Sequence, residues 1–111
     1  MQDERGNISG DITIKNEYTL WGSIAGEVTV AKNGKFYMRG TIYGNLVVQD
    51  GGRVHTFGNI QGNLTVHEGA KVIHGGVLGG DAINMGGRLY IDHDARIDGK
   101  VRTHSGETIH N

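Results

Sequence analysis

Nine apolar residues recur at an interval of six: Ile24, Val30, Phe36, Ile42, Val48, Val54, Ile60, Val66 and Val72. A helix repeats about every 3.6 residues and a strand every two, so neither alone produces this spacing. A step of six, with a stronger repeat at eighteen, describes one side of a three-sided coil stacked on the next. The longer repeat is visible in Gly22-Ser23-Ile24-Ala25-Gly26-Glu27-Val28-Thr29-Val30. It returns as Gly40-Thr41-Ile42-Tyr43-Gly44-Asn45-Leu46-Val47-Val48 and as Gly58-Asn59-Ile60-Gln61-Gly62-Asn63-Leu64-Thr65-Val66. A short fixed period marks a solenoid, whose units cannot bury their apolar faces alone.

Extending the pattern predicts one all-β domain over residues 1–111, a three-sided parallel β-helix of about six coils with roughly 18 residues each. Residues 1–5 read as a short charged tail, and the coils run from about residue 6 to 109. The first coil, from Gly6 to Leu20, is two residues shorter than the standard turn. The fifth reads through Val77, Ile83 and Leu89, with Gly79-Gly80-Asp81 placing an acid where other coils carry Val28, Leu46 and Leu64. A bulge at the double glycine is expected to carry that carboxylate to solvent. The sixth runs through Ile97, Thr103 and Ile109, after an insertion around Asp92-His93-Asp94.

Local alternation agrees with strand throughout. Ile42, Gly44, Leu46 and Val48 form an inward set, while Tyr43, Asn45 and Val47 face out. Glycine numbers 20 and occupies fixed phases. Gly44 and Gly62 are expected between inward residues on a strand, and Gly34, Gly52 and Gly87 at corners. Proline is absent, which suits uninterrupted ladders. Strands about 4.8 Å apart stack six coils into a rod about 30 Å long.

The followers of the apolar positions include Tyr43, Gln49, His55, Gln61 and His67, so the small or acidic follower of left-handed hexapeptide helices is missing. Repeats of Gly-x-Ile-x-Gly-x-Leu-x-Val followed by Gly-Gly-Arg-Val or Gly-Ala-Lys-Val resemble the bactofilins, bacterial polymer-forming cytoskeletal proteins. The resemblance covers roughly Gly6 to Val101. It implies a right-handed triangular β-helix that polymerises end to end without nucleotide. Bactofilins commonly carry flexible, often proline-containing tails, and sometimes a short apolar membrane-binding N-terminus; this sequence shows neither.

Outward columns are read by taking every eighteenth residue. Lys35, Arg53, Lys71 and Arg88 form a cationic column, and like charges opposite each other on neighbouring strands are mildly destabilising. Such a column suggests an anionic partner, or a charged face that blunts lateral pairing. Beside it, Trp21, Tyr37, His55, Ile73 and Tyr90 each follow an inward residue and are expected to point out. Exposed aromatic residues flanked by basic ones have the composition of a protein-binding surface.

Chemistry finds no footing in the text. No Gly-x-Ser-x-Gly elbow, phosphate loop, dinucleotide fingerprint or His-Glu-x-x-His motif occurs. His67, His104 and His110 are spaced loosely like the zinc ligands of carbonic anhydrases built on left-handed β-helices, but the flanking pattern is missing. A net charge of −1 argues against a generic polyanion binder. No catalytic residue, metal, cofactor, nucleic acid or membrane insertion is expected. The absence of cysteine is compatible with a cytoplasmic location. Two functional classes remain. One is a bactofilin-like scaffold subunit that self-associates end to end through Ile8, Ile14, Leu20, Ile97 and Ile109. The other is a compact immunity or adaptor protein that binds a partner through Trp21, Tyr37, His55 and Tyr90 with Lys35, Arg53, Lys71 and Arg88.

Overall fold

The structure is a computed structural model and describes residues 2–111. Every element among them is a strand, and every paired ladder is parallel. Three faces repeat in fixed order. Face I holds β1 (Gln2–Glu4), β4 (Glu17–Leu20), β7 (Lys35–Met38), β10 (Arg53–Thr56) and β13 (Lys71–His74). Face II holds β2 (Asn7–Ser9), β5 (Ser23–Ala25), β8 (Thr41–Ile42), β11 (Asn59–Ile60), β14 (Val77–Leu78) and β16 (Arg96–Ile97). Face III holds β3 (Ile12–Ile14), β6 (Val28–Val30), β9 (Leu46–Val48) and β12 (Leu64–Val66). Two long strands, β15 (Ala82–Ile91) and β17 (Val101–His110), turn the corner from face III to face I. The six coils occupy 33 × 27 × 21 Å.

Successive hexad residues fall on successive faces, which is why the interval is six. Ile24, Ile42 and Ile60 stack on face II, Val30, Val48 and Val66 on face III, and Phe36, Val54 and Val72 on face I; all nine are buried. Each coil adds two further inward positions, filled by Val28, Leu46 and Leu64 on face III and by Leu20 and Met38 on face I. Tyr18 and Phe36 meet edge-on, ring centroids 6.0 Å apart, a geometry favoured by the aromatic quadrupole.

Register locates the irregularities. Pairs such as Ile8 with Ile24 are sixteen residues apart, whereas Glu17 pairs with Lys35 at eighteen, so the first coil loses two residues at the corner after Ile14. The insertion expected around Asp92-His93-Asp94 lies between Ile91 and Arg96, and the register shows it to be two residues long. The expected charged tail is in fact partly strand: Gln2–Glu4 pair with Tyr18–Leu20, while Met1 lies outside the described residues.

The fifth coil is read one residue out of phase in the sequence. Leu78 and Ala82 are buried and continue the columns of Ile60 and Leu64; Val77 and Ile83 point outward. Asp81 therefore needs no bulge to escape. It stands in the corner column of Asn45 and Asn63, where Asn45 Oδ1 accepts from Asn63 N–H, Asn63 Oδ1 from Asp81 N–H and Asp81 Oδ1 from Lys100 N–H, each at 2.8 Å. These side chains hold backbone donors that turn away from the ladder at the corner. Gly44 and Gly62 also sit at this corner rather than inside a strand. A Cβ on either would strike the carbonyl of the glycine one coil below, so only glycine lets the corners stack. At the next corner, Asn33, Gly51 and Gly69 share a left-handed conformation at φ 71°, 81° and 81°. That region is open to glycine and tolerated by asparagine.

Candidate interaction faces

Face I carries the features that the sequence singles out. In β7, β10 and β13 the first three side chains run outward, inward, outward, so Lys35 and Tyr37 flank the buried Phe36, and Arg53 and His55 flank Val54. Parallel register then builds two columns. Lys35, Arg53, Lys71 and Arg88 pair in sequence, as do Tyr37, His55, Ile73 and Tyr90. Between them runs a groove of about 270 Å³, walled by Lys35, Arg53 and Lys71 on one side and by Tyr37, His55 and Ile73 on the other. Lys71 Nζ leans to 5.7 Å from the Tyr90 ring centroid and narrows the groove at that end.

Trp21 does not join the aromatic column. The first coil is short, so Leu20 matches Met38 and not Phe36, and the place beneath Tyr37 belongs to the buried Thr19. Trp21 stands one step further along, on the corner between faces I and II. There Arg5 lies 5.1 Å and Arg39 5.2 Å from its ring centroid, and Arg39 lies 4.4 Å from that of Phe57. A cation between two ring faces is attracted to both. His55 stacks on Phe57 at 4.0 Å between centroids, which ties this ladder to the aromatic wall of the groove. Burial lowers the His55 imidazole below its ordinary value; Asp92 raises it and Arg39 lowers it further.

The residues assigned to the ends separate likewise. Ile8 and Ile14 do lie at the N-terminal end, where with Ile12 and Tyr18 they form the apolar part of an open dish of about 400 Å³ that Glu4, Thr13, Lys15 and Asn16 complete; Ile14 itself is buried there and Ile8 only half-buried. Leu20 is wholly buried in register with Glu4, so it is not an end residue. Ile97 is inward and half-buried at the opposite end. Ile109 pairs with Tyr90 and therefore faces outward at the end of the aromatic column; Thr108 takes the inward place beside Leu89. Val101, 36% exposed, completes the apolar part of that end.

A family model described as polymer-forming cytoskeletal, that of the bactofilins, matches residues 2–102, nearly the whole chain. The chain belongs to the bactofilins. No curated protein and no solved structure matches it. This bactofilin is all-β among its described residues and has no helix long and apolar enough to cross a membrane. Its family is structural and cytoskeletal by description.

Two polar residues in the bactofilin core do not announce themselves in the text. Asn84 continues the hexad into a fully buried position and is bonded on both ends of its amide. His74 is also fully buried. Its Nδ1 accepts from the Thr56 hydroxyl at 2.6 Å, and its Nε2–H points to the Arg96 carbonyl at 3.4 Å. Burial lowers its pKa from the ordinary 6.5, with the Arg96 carbonyl and Asp92 acting in the opposite direction. The folded state thus resists a proton that the unfolded chain accepts. Stability is full above pH 6.5 and declines as the pH falls below it. A melting temperature that drops between pH 7.5 and about 5.5, and drops less in His74→Met, is the expected result. An identical drop in the variant would assign the effect elsewhere. The remaining histidines considered as ligands, His67, His104 and His110, are exposed, and no group of three or more potential ligands converges among the described residues.

Proposed function

We propose that this bactofilin is a non-enzymatic scaffold subunit that associates end to end with copies of itself through its terminal coils. The family description supports self-polymerisation. The observation that carries the reading is the N-terminal dish. Ile8 and Ile12 present half-buried apolar side chains at this end, with Ile14 buried beside them, and the surrounding strands β1, β2 and β3 are paired on one side only. Unpaired strand edges are templates for another chain, and the apolar floor adds a non-directional driving force. The opposite end offers β16 and β17 with Ile97 and Val101, but its inward places also carry Thr103 and Thr108, whose hydroxyls bond each other at 2.7 Å. Apolar burial is therefore richer at the N-terminal end.

The test is the mass of the particle in solution. By light scattering, the wild-type protein is expected well above the 12.0 kDa of one chain. Ile8→Lys is expected to lower that mass while circular dichroism remains that of β-structure. A lysine in the dish puts a charge against the facing copy, a cost of several kcal/mol when desolvated. A wild-type protein that is monomeric at tens of micromolar, an order of magnitude set against the affinity scale of weak association, would remove the proposal.

A further inference from the structure

We infer that the groove of face I is a docking site for an extended protein segment in which acidic and apolar residues alternate. This surface is lateral, so the inference stands apart from end-to-end association. Charge complementarity carries it. Among the described residues the ion pairs are His93–Asp94 and Arg96–Asp98, and neither involves Lys35, Arg53, Lys71 or Arg88. Four cations in parallel register, none of them in an ion pair and with an acid in the column only at its two ends, repel one another, and an anionic ligand relieves that repulsion.

The walls specify the ligand further. One is cationic; the other is formed by the half-buried Tyr37, His55 and Ile73, with Phe57 and Arg39 behind them. A uniformly acidic ligand satisfies only the first. An extended chain sends successive side chains to opposite sides, so an alternating segment lying along the groove meets both walls at once. The lengths agree as well. Four strands about 4.8 Å apart put the outer cations roughly 14 Å apart, and acids at positions one, three and five of an extended chain also span roughly 14 Å.

The same column limits what fits. Glu17 pairs with Lys35 at one end and Glu107 with Arg88 at the other. Acids at both ends bound the cationic track to four residues, which penalises a polyanion that continues past them. A long nucleic acid is therefore a poorer ligand than a short acidic stretch.

A fluorescein-labelled peptide of seven residues that alternates leucine and aspartate, with leucine first so that three aspartates span roughly 14 Å, is the probe, read by fluorescence anisotropy on the full chain. It is expected to bind wild-type protein, with affinity that weakens as salt is added. Arg53→Glu is expected to weaken it about tenfold or more, and Tyr37→Ser by a smaller factor, since Arg and Tyr anchors dominate such surfaces. Arg53→Gln serves if the glutamate variant does not give a β-type dichroism spectrum. Ile8→Lys should bind like wild type, which separates this test from that of self-association. A peptide of the same composition with its acids in one block is expected to bind distinctly less well, as is a single-stranded oligonucleotide. No binding of the alternating peptide, unchanged affinity in both Arg53 variants, or equal binding of the block peptide or the oligonucleotide would overturn the inference.

Discussion

Val48→Asp is expected to abolish folding, whereas the same change at Val47 leaves the solenoid intact. Val48 is 0% exposed and stacked between Val30 and Val66, while its neighbour stands in the outward column of Thr29 and Thr65. A carboxylate at Val48 has no partner among the apolar side chains around it, and even its neutral form leaves a hydroxyl and a carbonyl unbonded. The cost is several kcal/mol on top of the lost valine, comparable with the roughly 5–15 kcal/mol that holds a domain of this size together. At position 47 the charge remains in water, and the change is expected to cost about 1 kcal/mol or less. Circular dichroism with urea denaturation distinguishes the pair. Cooperative unfolding of Val48→Asp near the wild-type midpoint would contradict the assignment of inward and outward columns.

The second large effect is expected at Asn84. Its Oδ1 accepts from Gly86 N–H at 3.1 Å and from Gly87 N–H at 2.9 Å, and its Nδ2 donates to the Glu107 carbonyl at 2.9 Å and to Thr108 Oγ1 at 3.1 Å. The hydrogen bonds stitch the corner of β15 to β17, where the ladder shifts register. Asn84→Leu fits the hexad better by hydrophobicity yet takes this partner from two backbone donors, the N–H groups of Gly86 and Gly87, and from two backbone carbonyls, those of Gly87 and Glu107. The Gly87 groups are buried and the others only partly so; at about 1–3 kcal/mol for each orphaned buried group, the loss is roughly 3 kcal/mol. That corresponds to a fall in melting temperature on the order of 10 °C. Thr108→Val, which removes one of the amide's acceptors, is expected to cost about 1 kcal/mol. A leucine variant as stable as wild type would show that the amide is dispensable and that apolar packing governs the corner.

These two positions mark the boundary of what the sequence discloses. The hexad from Ile24 to Val72 was readable because each apolar residue lands on the next face of the coil, and stacking identical positions keeps the interval constant. The same rule continued through Leu78 and Asn84, but an amide is indistinguishable in text from a break in the pattern. Taking it as a break displaced the fifth coil by one residue and turned Asp81 from a corner ligand of the Lys100 N–H into an apparent intruder. The error belongs to a period-two structure, where one residue of slip exchanges inside for outside.

On the candidate faces, the cationic column and Tyr37, His55 and Tyr90 were legible because they lie in coils of nearly regular length. Trp21 and Ile109 were misplaced because they adjoin the irregular first and last coils. Following an inward residue does not say which of face I's two inward columns that residue occupies. The sequence by itself determined the strand content, the three-sided repeat, the membership of the core's regular columns and the family. Only the tertiary structure decided the register across shortened and lengthened corners, the hydrogen-bond partners of Asn84 and His74, and the pairing of Arg39 with Trp21 and Phe57. The physical reason is that periodicity is a local property of the chain, whereas corner geometry and polar satisfaction depend on atoms a whole coil away.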